Sequence, residues 1–577
     1  MRKLLILMAA ALILIGAFAL PASAVPVADL TQLAAYFPED TALFAVSRTD
    51  DDFIAQLDAV LVQISAVMPP DSLPVKSLSD ALNMMSQEFD PEGDFTSVFR
   101  SWLGDTLAFG LVDASALSGR GGDAPPMIIA AEITDAALAE EYMMMTGALE
   151  NYSRDEMEGY VLYAPMTRRA GQPFVIFRDD VLLISLEAGN VETGGLQDAP
   201  LSASDTFLAT LAQLPAAEYN AVAYNNLPAI LQGMADLDEV MEEMPRLFHE
   251  IFAAVGPQAY GATILGGRSM TLDAVVTYAD TSMLDAMGMS MVGREPVDPA
   301  FARHIPAGTP LVIHANNAGF DYAAQIAMMR SLIEQMVDQG MGSQDDKQQA
   351  EAAIFAFETG IRGLTGLEPE AAFGWMTGDV ALYLGLTPRA ADASSLFAII
   401  SALPVDFAFT LEATDPAAAQ ALVDGLANGL KDLPVEEITI SREDIAGANA
   451  LVVTINTPDL PFPIELIMAA NDQVFSLGTR RYVTFALAPG EGLDTDPAYQ
   501  EAAANLLPNA STVLYAAGAG LQPLARLAQM EDNSSSTRRD GETLGAVLDL
   551  ISSASISVAL DDTGTVATER LVWTLPE

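Results

Sequence analysis

Apolar residues along the first half of the chain follow two rhythms. "TALFAVS" (41–47), "TLAFGLV" (106–112) and "MIIAAEI" (127–133) are short runs rich in β-branched and aromatic residues, which predicts strands. Residues 51–67 and about 77–88 place apolar side chains three and four apart, the spacing of a helix with one buried stripe. "DAALAEEYMMMTGALE" (135–150) predicts a further helix, N-capped at Thr134–Asp135. "GYVLYAP", "PFVIFRD" and "VLLISLE" read as strands, the last two joined by the Asp179–Asp180 turn and therefore antiparallel. A helix over 204–213, a strand over 220–226, a long acidic helix over 227–255 and a hairpin, "YGATILGG" with "MTLDAVVTYAD", complete the stretch. The expected fold class is α+β: a mostly antiparallel sheet with helices packed on one face.

The same order of phrases then returns. Pro38 and Thr41 of "YFPEDTALFAV" answer to Pro306 and Thr309 of "HIPAGTPLVIH". "DPEGDFTSVFRSWLGD" answers to "LEPEAAFGWMTGD", which matches Trp102, Gly104 and Asp105 with Trp375, Gly378 and Asp379. Glu132 then matches Glu412, Asp180 matches Asp472, and Pro215 matches Pro508. Order is kept throughout while the spacing only widens, as tandem duplication followed by loop insertion produces. Two homologous units are expected, at 30–295 and 296–577. Pro38, Pro215, Pro306 and Pro508 each follow a helical run and precede a strand. Proline pushes the residue before it out of the helical region, so each is read as a helix-to-strand corner.

The first residues add a compartment. Arg2 and Lys3 precede an apolar run over 4–20 and the small residues Ala22, Ser23 and Ala24. That is the pattern of a signal peptide over 1–24, which makes a secreted or periplasmic location the expectation. Membrane contact is then expected only through this leader, if it stays uncleaved. Charge narrows the partners: 26 Lys and Arg face 78 Asp and Glu, a net −52. Such a surface repels phosphate backbones and excludes nucleic acid as a partner. With no cysteine, disulfides, thiolate metal sites and cysteine nucleophiles are excluded as well.

Candidate chemistry is sparse. His249, His304 and His314 are the only histidines, and no HExxH, GxSxG or phosphate-cradling loop is present. No catalytic residue, cofactor site or metal site is assigned. Gly104–Asp105 and Gly378–Asp379 read as turns at strand starts. The acids of "TDDD" (49–52) and "DTD" (494–496) lack the full calcium-loop spacing and read as helix caps, at Asp50 to Asp52 and Asp494. Methionine is enriched, with 26 residues. Met143, Met144, Met145, Met328 and Met329 are candidates for the lining of an apolar groove. Met287, Met289 and Met291 have thioether spacing for copper but no supporting histidine. "MEDNSSSTRRDGET" (530–543) has the composition of a mobile loop.

The proline corner after the leader, "LAAYFPEDTALFAV", and the pair "DPEGDFTSVFRSWLGD" and "LEPEAAFGWMTGD" carry a resemblance that spans essentially the whole mature chain. It resembles the bacterial exported family catalogued as domain of unknown function 3352. The resemblance implies an exported or envelope-attached protein and brings no catalytic residues with it. The functional expectation is a non-enzymatic, exported binding or envelope-associated protein. Its partner would be an apolar small molecule or divalent cations. A hydrolase built on paired carboxylates, or a structural cation-binding envelope protein, is the alternative.

Overall fold

The computed structural model describes residues 24–67, 77–89, 93–112, 126–167, 172–186, 193–233, 254–265, 268–281, 294–318, 320–338, 342–386, 405–431, 437–456, 463–523 and 544–576. The chain divides into two units, residues 1–280 and 281–577.

Ten strands of the first unit form one antiparallel sheet among its described residues. They are β1 (Leu43–Arg48), β2 (Leu103–Leu111), β3 (Met127–Ile133), β4 (Tyr152–Met157), β5 (Tyr160–Pro165), β6 (Phe174–Phe177), β7 (Val181–Ser185), β8 (Ala221–Asn225), β9 (Val255–Leu265) and β10 (Ser269–Tyr278). Their order across the sheet is β10-β9-β8-β1-β2-β3-β7-β6-β5-β4. The Asp179–Asp180 turn joins β6 to β7 as the sequence predicts, with Phe177 opposite Leu182. Asp135 caps the helix Ala136–Met145 by accepting the Leu138 N–H at 3.0 Å. Strand β4, "YSRDEM", lies at the sheet edge with four exposed residues in a row. Its Arg154 is tied to Glu140 at 2.5 Å and to Glu156 at 2.6 Å, a charged edge that discourages pairing with another chain. Strand β9 begins at Val255, so the end of the predicted acidic helix is strand; helix is described over Leu227–Gly233.

The second unit has β11 (Leu311–Asn316), β12 (Asp379–Leu386), β13 (Val405–Glu412), β14 (Ile438–Ile445), β15 (Ala448–Ile455), β16 (Ile464–Ala470), β17 (Val474–Gly478), β18 (Thr512–Ala517), β19 (Ser553–Leu560) and β20 (Val566–Thr574). Its order, β20-β19-β18-β11-β12-β13-β17-β16-β15-β14, is that of the first unit strand for strand, and every pairing is again antiparallel.

The α+β class holds, and one detail of it changes: helices cover both faces of this sheet. Ala381, Tyr383, Ala408, Val452 and Val474 turn to one face, against the 3-10 helix Pro299–His304 and the helix Arg480–Leu487. Leu411, Leu451 and Phe475 turn to the other, against the helix Pro416–Leu430. The cause is legible in strands such as "LVVTI", which are apolar at consecutive rather than alternate positions. Inside the first layer Tyr383 Oη lies 3.3 Å from the His304 carbonyl and 2.9 Å from Thr410 Oγ1, which meets Ser476 Oγ at 2.9 Å. In this chain of buried hydroxyls each donor or acceptor finds a partner, as burial demands.

The proline corners recur in both units down to the hydrogen bond. Each strand start follows a 3-10 helix, Thr31–Tyr36 in one unit and Pro299–His304 in the other. Thr41 Oγ1 donates to the Pro38 carbonyl at 2.6 Å, and Thr309 Oγ1 to that of Pro306 at 2.7 Å. Pro38 bridges to Pro200 and Pro306 to Gly492, which ties each corner to a distant loop. Pro215 and Pro508 are exposed and stand between the helices Asp205–Leu211 and Pro497–Ala503 and the strands that follow.

Candidate functional site

A glycine, an aspartate and a glutamate meet at the start of each second strand. Asp105 N–H donates to Glu132 Oε2 at 3.2 Å, and Asp379 N–H donates to Glu412 Oε2 at 3.2 Å. A Cβ on Gly104 would lie 2.6 Å from the Glu132 side chain, and one on Gly378 would lie 2.4 Å from Glu412. The glycine therefore makes room for the glutamate of the neighbouring strand. Gly104 and Asp105 stand inside β2, while Gly378 lies in a bend and Asp379 opens β12; close approach of the glutamate is what the two glycines share. Beside each node a tryptophan is buried, with Trp102 Nε1 donating to the Val98 carbonyl at 2.9 Å and Trp375 Nε1 to that of Ala372 at 2.8 Å.

In the first unit this node opens into a cleft of about 400 Å³. Its walls are the 3-10 helix (Gln32, Leu33, Tyr36), the end of β1 (Arg48, Asp50), the start of β2 (Asp105, Thr106), Glu132 of β3, and Asp180 and Val181 at the start of β7. Five carboxylates face it, with Asp29 as the fifth, against the single guanidinium of Arg48. That guanidinium is already engaged: Nε donates to Asp50 Oδ2 at 2.6 Å. Asp50 also accepts the Phe53 N–H at 3.0 Å and so caps the helix Asp51–Val67, as the sequence predicts. Glu132 Oε2 is held by the Asp105 N–H and by Thr106 Oγ1 at 2.9 Å. Tyr36 Oη donates to Asp180 Oδ1 at 3.5 Å, and burial followed by the Asp180 charge pushes its phenol above the ordinary value. Asp29, Asp105 and Asp180 are exposed. The balance of charge makes the cleft attractive to cations and repellent to anions.

The second unit places different residues there. A register irregularity between Leu103 and Leu107 puts Thr106 opposite Arg48, whereas Asp379 stands opposite Asn316. Asp379 is 2% exposed, while Asp105 faces solvent. His314 Nε2 lies 3.1 Å from Asp379 Oδ1, and the Asp298 N–H donates to the same carboxylate at 3.1 Å. Phe301 stacks on the imidazole with ring centroids 5.4 Å apart and planes at 26°. Next to it His304 Nδ1–H donates to the Ala486 carbonyl at 2.8 Å and Nε2 accepts from Arg303 Nε at 3.1 Å. Burial lowers the pKa of His304, and this pattern of donor and acceptor fits the neutral ring.

The methionines separate. Met143 is 3% exposed, Met144 50% and Met145 72%, so this run has one core residue and two on the surface. Met328 is half-buried and Met329 exposed, both on the helix Tyr322–Asp338 of the other unit. Neither this cleft nor a more open one of about 760 Å³ beside Pro38 is lined by a methionine. Met287, Met289, Met291, His249 and the 530–543 loop lie outside the described residues. Asp496, in place of Asp494, caps the helix Pro497–Ala503. The hydrogen bonds to Ile133 and Ala413 match Asp180 with Gln473, one residue from the sequence alignment with Asp472. Among the described residues no group of three or more His, Asp and Glu side chains is arranged to hold a metal ion.

Arg48 and the convergence of Asp180 with Asp105 are what sequence reasoning missed. The recurrence of Glu132 as Glu412 beside the Gly–Asp pairs was the available signal. A family model described as "Protein of unknown function (DUF3352)" matches residues 5–515. No curated protein and no solved structure matches the chain.

Proposed function

Because the chain belongs to the DUF3352 family, which carries no activity with it, we propose its role from the cleft: an exported, non-catalytic binding protein that holds a small polar ligand in its first unit. The observation that carries this reading is the cleft of about 400 Å³, a size that suits a small molecule. Its walls come from four strand ends and a 3-10 helix, so they are positioned by the sheet. Export rests on the leader residues, Arg2 and Lys3 followed by the apolar run to Leu20. The shared strand order and the shared corner bonds support descent of the two units from one duplicated unit. On this reading an apolar passenger in a methionine groove gives way to a polar one. Divalent cations enter the test as a control.

Native mass spectrometry of the full chain, purified from an exporting host, tests both parts. A mass lacking residues 1–24 and a stoichiometric polar passenger, lost in Asp105→Asn together with Asp180→Asn, is the expected result. A bare chain that captures nothing from a metabolite extract overturns the binding role. A two-carboxylate hydrolase is the second reading, favoured by the convergence of acids from separate strand ends in one concavity. It requires turnover of glycoside or ester probes that Asp105→Asn abolishes.

A further inference from the structure

Beside Pro38 the first unit has a cleft at a corner that the second unit bridges with an aspartate. In both units a 3-10 helix passes into a short helix through one residue: Ser204 between Leu201–Ala203 and Asp205–Leu211, and Asp496 between Leu493–Thr495 and Pro497–Ala503. The surrounding bonds match, since the Leu201 N–H donates to the Phe37 carbonyl and the Leu493 N–H to that of Ile305, each at 2.7 Å. Asp496 reaches two ways. Its Oδ1 accepts the Ala498 and Tyr499 N–H groups, and its Oδ2 accepts the Gly308 N–H at 3.0 Å across the corner. Counted from the corner prolines, Gly308 stands where the first unit has Asp40. Ser204 is shorter than aspartate and makes no cap bond to its helix, and both it and Asp40 are walls of the cleft of about 760 Å³.

Two buried hydroxyls line this cleft. Ser204 is 5% exposed and Tyr224 2%, and neither hydroxyl has a hydrogen-bond partner among the described residues. Burial alone pushes the Tyr224 phenol up to about 12. Tyr515 holds the matching place, opposite Val312 as Tyr224 is opposite Phe44, and there burial is joined by the charge of Asp496. A hydroxyl withdrawn from bulk water without a partner costs stability, so the pair points to a group supplied from outside the chain. We infer that this cleft is a second binding site, for a neutral polyhydroxyl compound such as a monosaccharide or a cyclitol, held by Ser204 and Tyr224. Each of these hydroxyls can donate and accept. A ligand hydroxyl answers both roles, whereas an ammonium group only donates and a carboxylate only accepts. Glu39, Asp40 and Asp198, the exposed acids of the cleft, can accept further ligand hydroxyls and repel anions. The site shares no wall with the cleft at Asp105 and stands whatever that cleft holds.

The test is methyl NMR of the full chain, with the methyl groups of Val112 and Leu196 as reporters lining the cleft. Glucose, galactose, xylose and myo-inositol are titrated one at a time, beside methylguanidinium chloride and sodium acetate at equal ionic strength. Saturable shifts at both residues are expected with at least one of the neutral compounds and with neither charged probe. Tyr224→Phe should weaken that binding about three- to tenfold, the effect of losing one hydrogen bond. It should leave the melting temperature unchanged or higher, because the phenol has no partner in the chain to lose. Ser204→Asp combined with Asp40→Gly builds the second unit's bridge into the first. The double variant should abolish binding and raise the melting temperature, as the short helix gains a cap. Tyr224→Phe alone decides if the double variant does not fold. Shifts that survive these substitutions put the ligand elsewhere and overturn the site. Saturation by methylguanidinium or acetate in place of the neutral compounds overturns the ligand class. Silence with every neutral compound leaves the cleft to water and removes the inference.

Discussion

At the start of its second strand the first unit exposes Asp105 to a cleft, whereas the second buries Asp379 against His314 and Phe301. The supporting parts are alike: a glycine that admits a glutamate, an aspartate N–H that holds it, a tryptophan bonded to the turn before it. The frame is therefore conserved between the units while its contents differ. A shared frame with different contents is what separates a structural motif from a site. Residues present in both units explain the fold, and residues present in one only are where function is to be sought.

The comparison can be broken at several depths. Removing the tryptophans should cost most. Trp102→Ala and Trp375→Ala are each expected to lose about 4 kcal/mol in urea unfolding of the full chain, since each empties a large buried volume. Similar losses would establish equal frames, and a cost confined to one would break the equivalence. His314→Ala follows, at about 3 kcal/mol, because it leaves the Asp379 carboxylate buried without its partner. Asp105→Asn should be close to neutral for stability, and an equal cost there would contradict the open-versus-filled distinction. Gly104→Ala and Gly378→Ala come next, at about 2 kcal/mol each, as the new methyl overlaps the glutamate.

The smallest effect is a pH dependence that only the second unit's corner should show. Folded His304 takes up a proton less readily than the unfolded chain, whose histidines titrate near about 6.5. The stabilisation from the neutral ring is thus fully present above that pH and is lost as the pH falls toward the folded value. The first unit has Tyr36 in that place, with its phenol raised, so the equivalent corner has no such dependence in this window. Comparing urea midpoints at several pH values for the full chain and for His304→Gln would resolve the histidine's share.

Much of the frame was readable in the residues, and for a clear reason. β1, β3, the β6–β7 hairpin and the helix Ala136–Met145 are set by local patterns and caps. Strand β4 escaped because its side chains are polar and exposed, so "YSRDEM" has no apolar rhythm to find. Coverage of both sheet faces escaped because a run of consecutive apolar residues says how buried a strand is, not what buries it. The cleft escaped for a deeper reason. Arg48, Asp105, Glu132 and Asp180 lie far apart along the chain, and among 78 acids no local feature marks those that converge. Only register does, and register is a property of the assembled sheet.

The strand order also has a kinetic side. In the centre of the first sheet β1 has β8 as one neighbour, so residue 47 waits for residue 221 before that pairing can form. The second unit repeats the arrangement with β11 and β18. Loop closure over such distances is slow, because entropy is lost long before contacts return it. A nascent unit stays open until nearly all of it has been made. For an exported chain, as proposed above, slow closure of the sheet would leave time for transport ahead of folding.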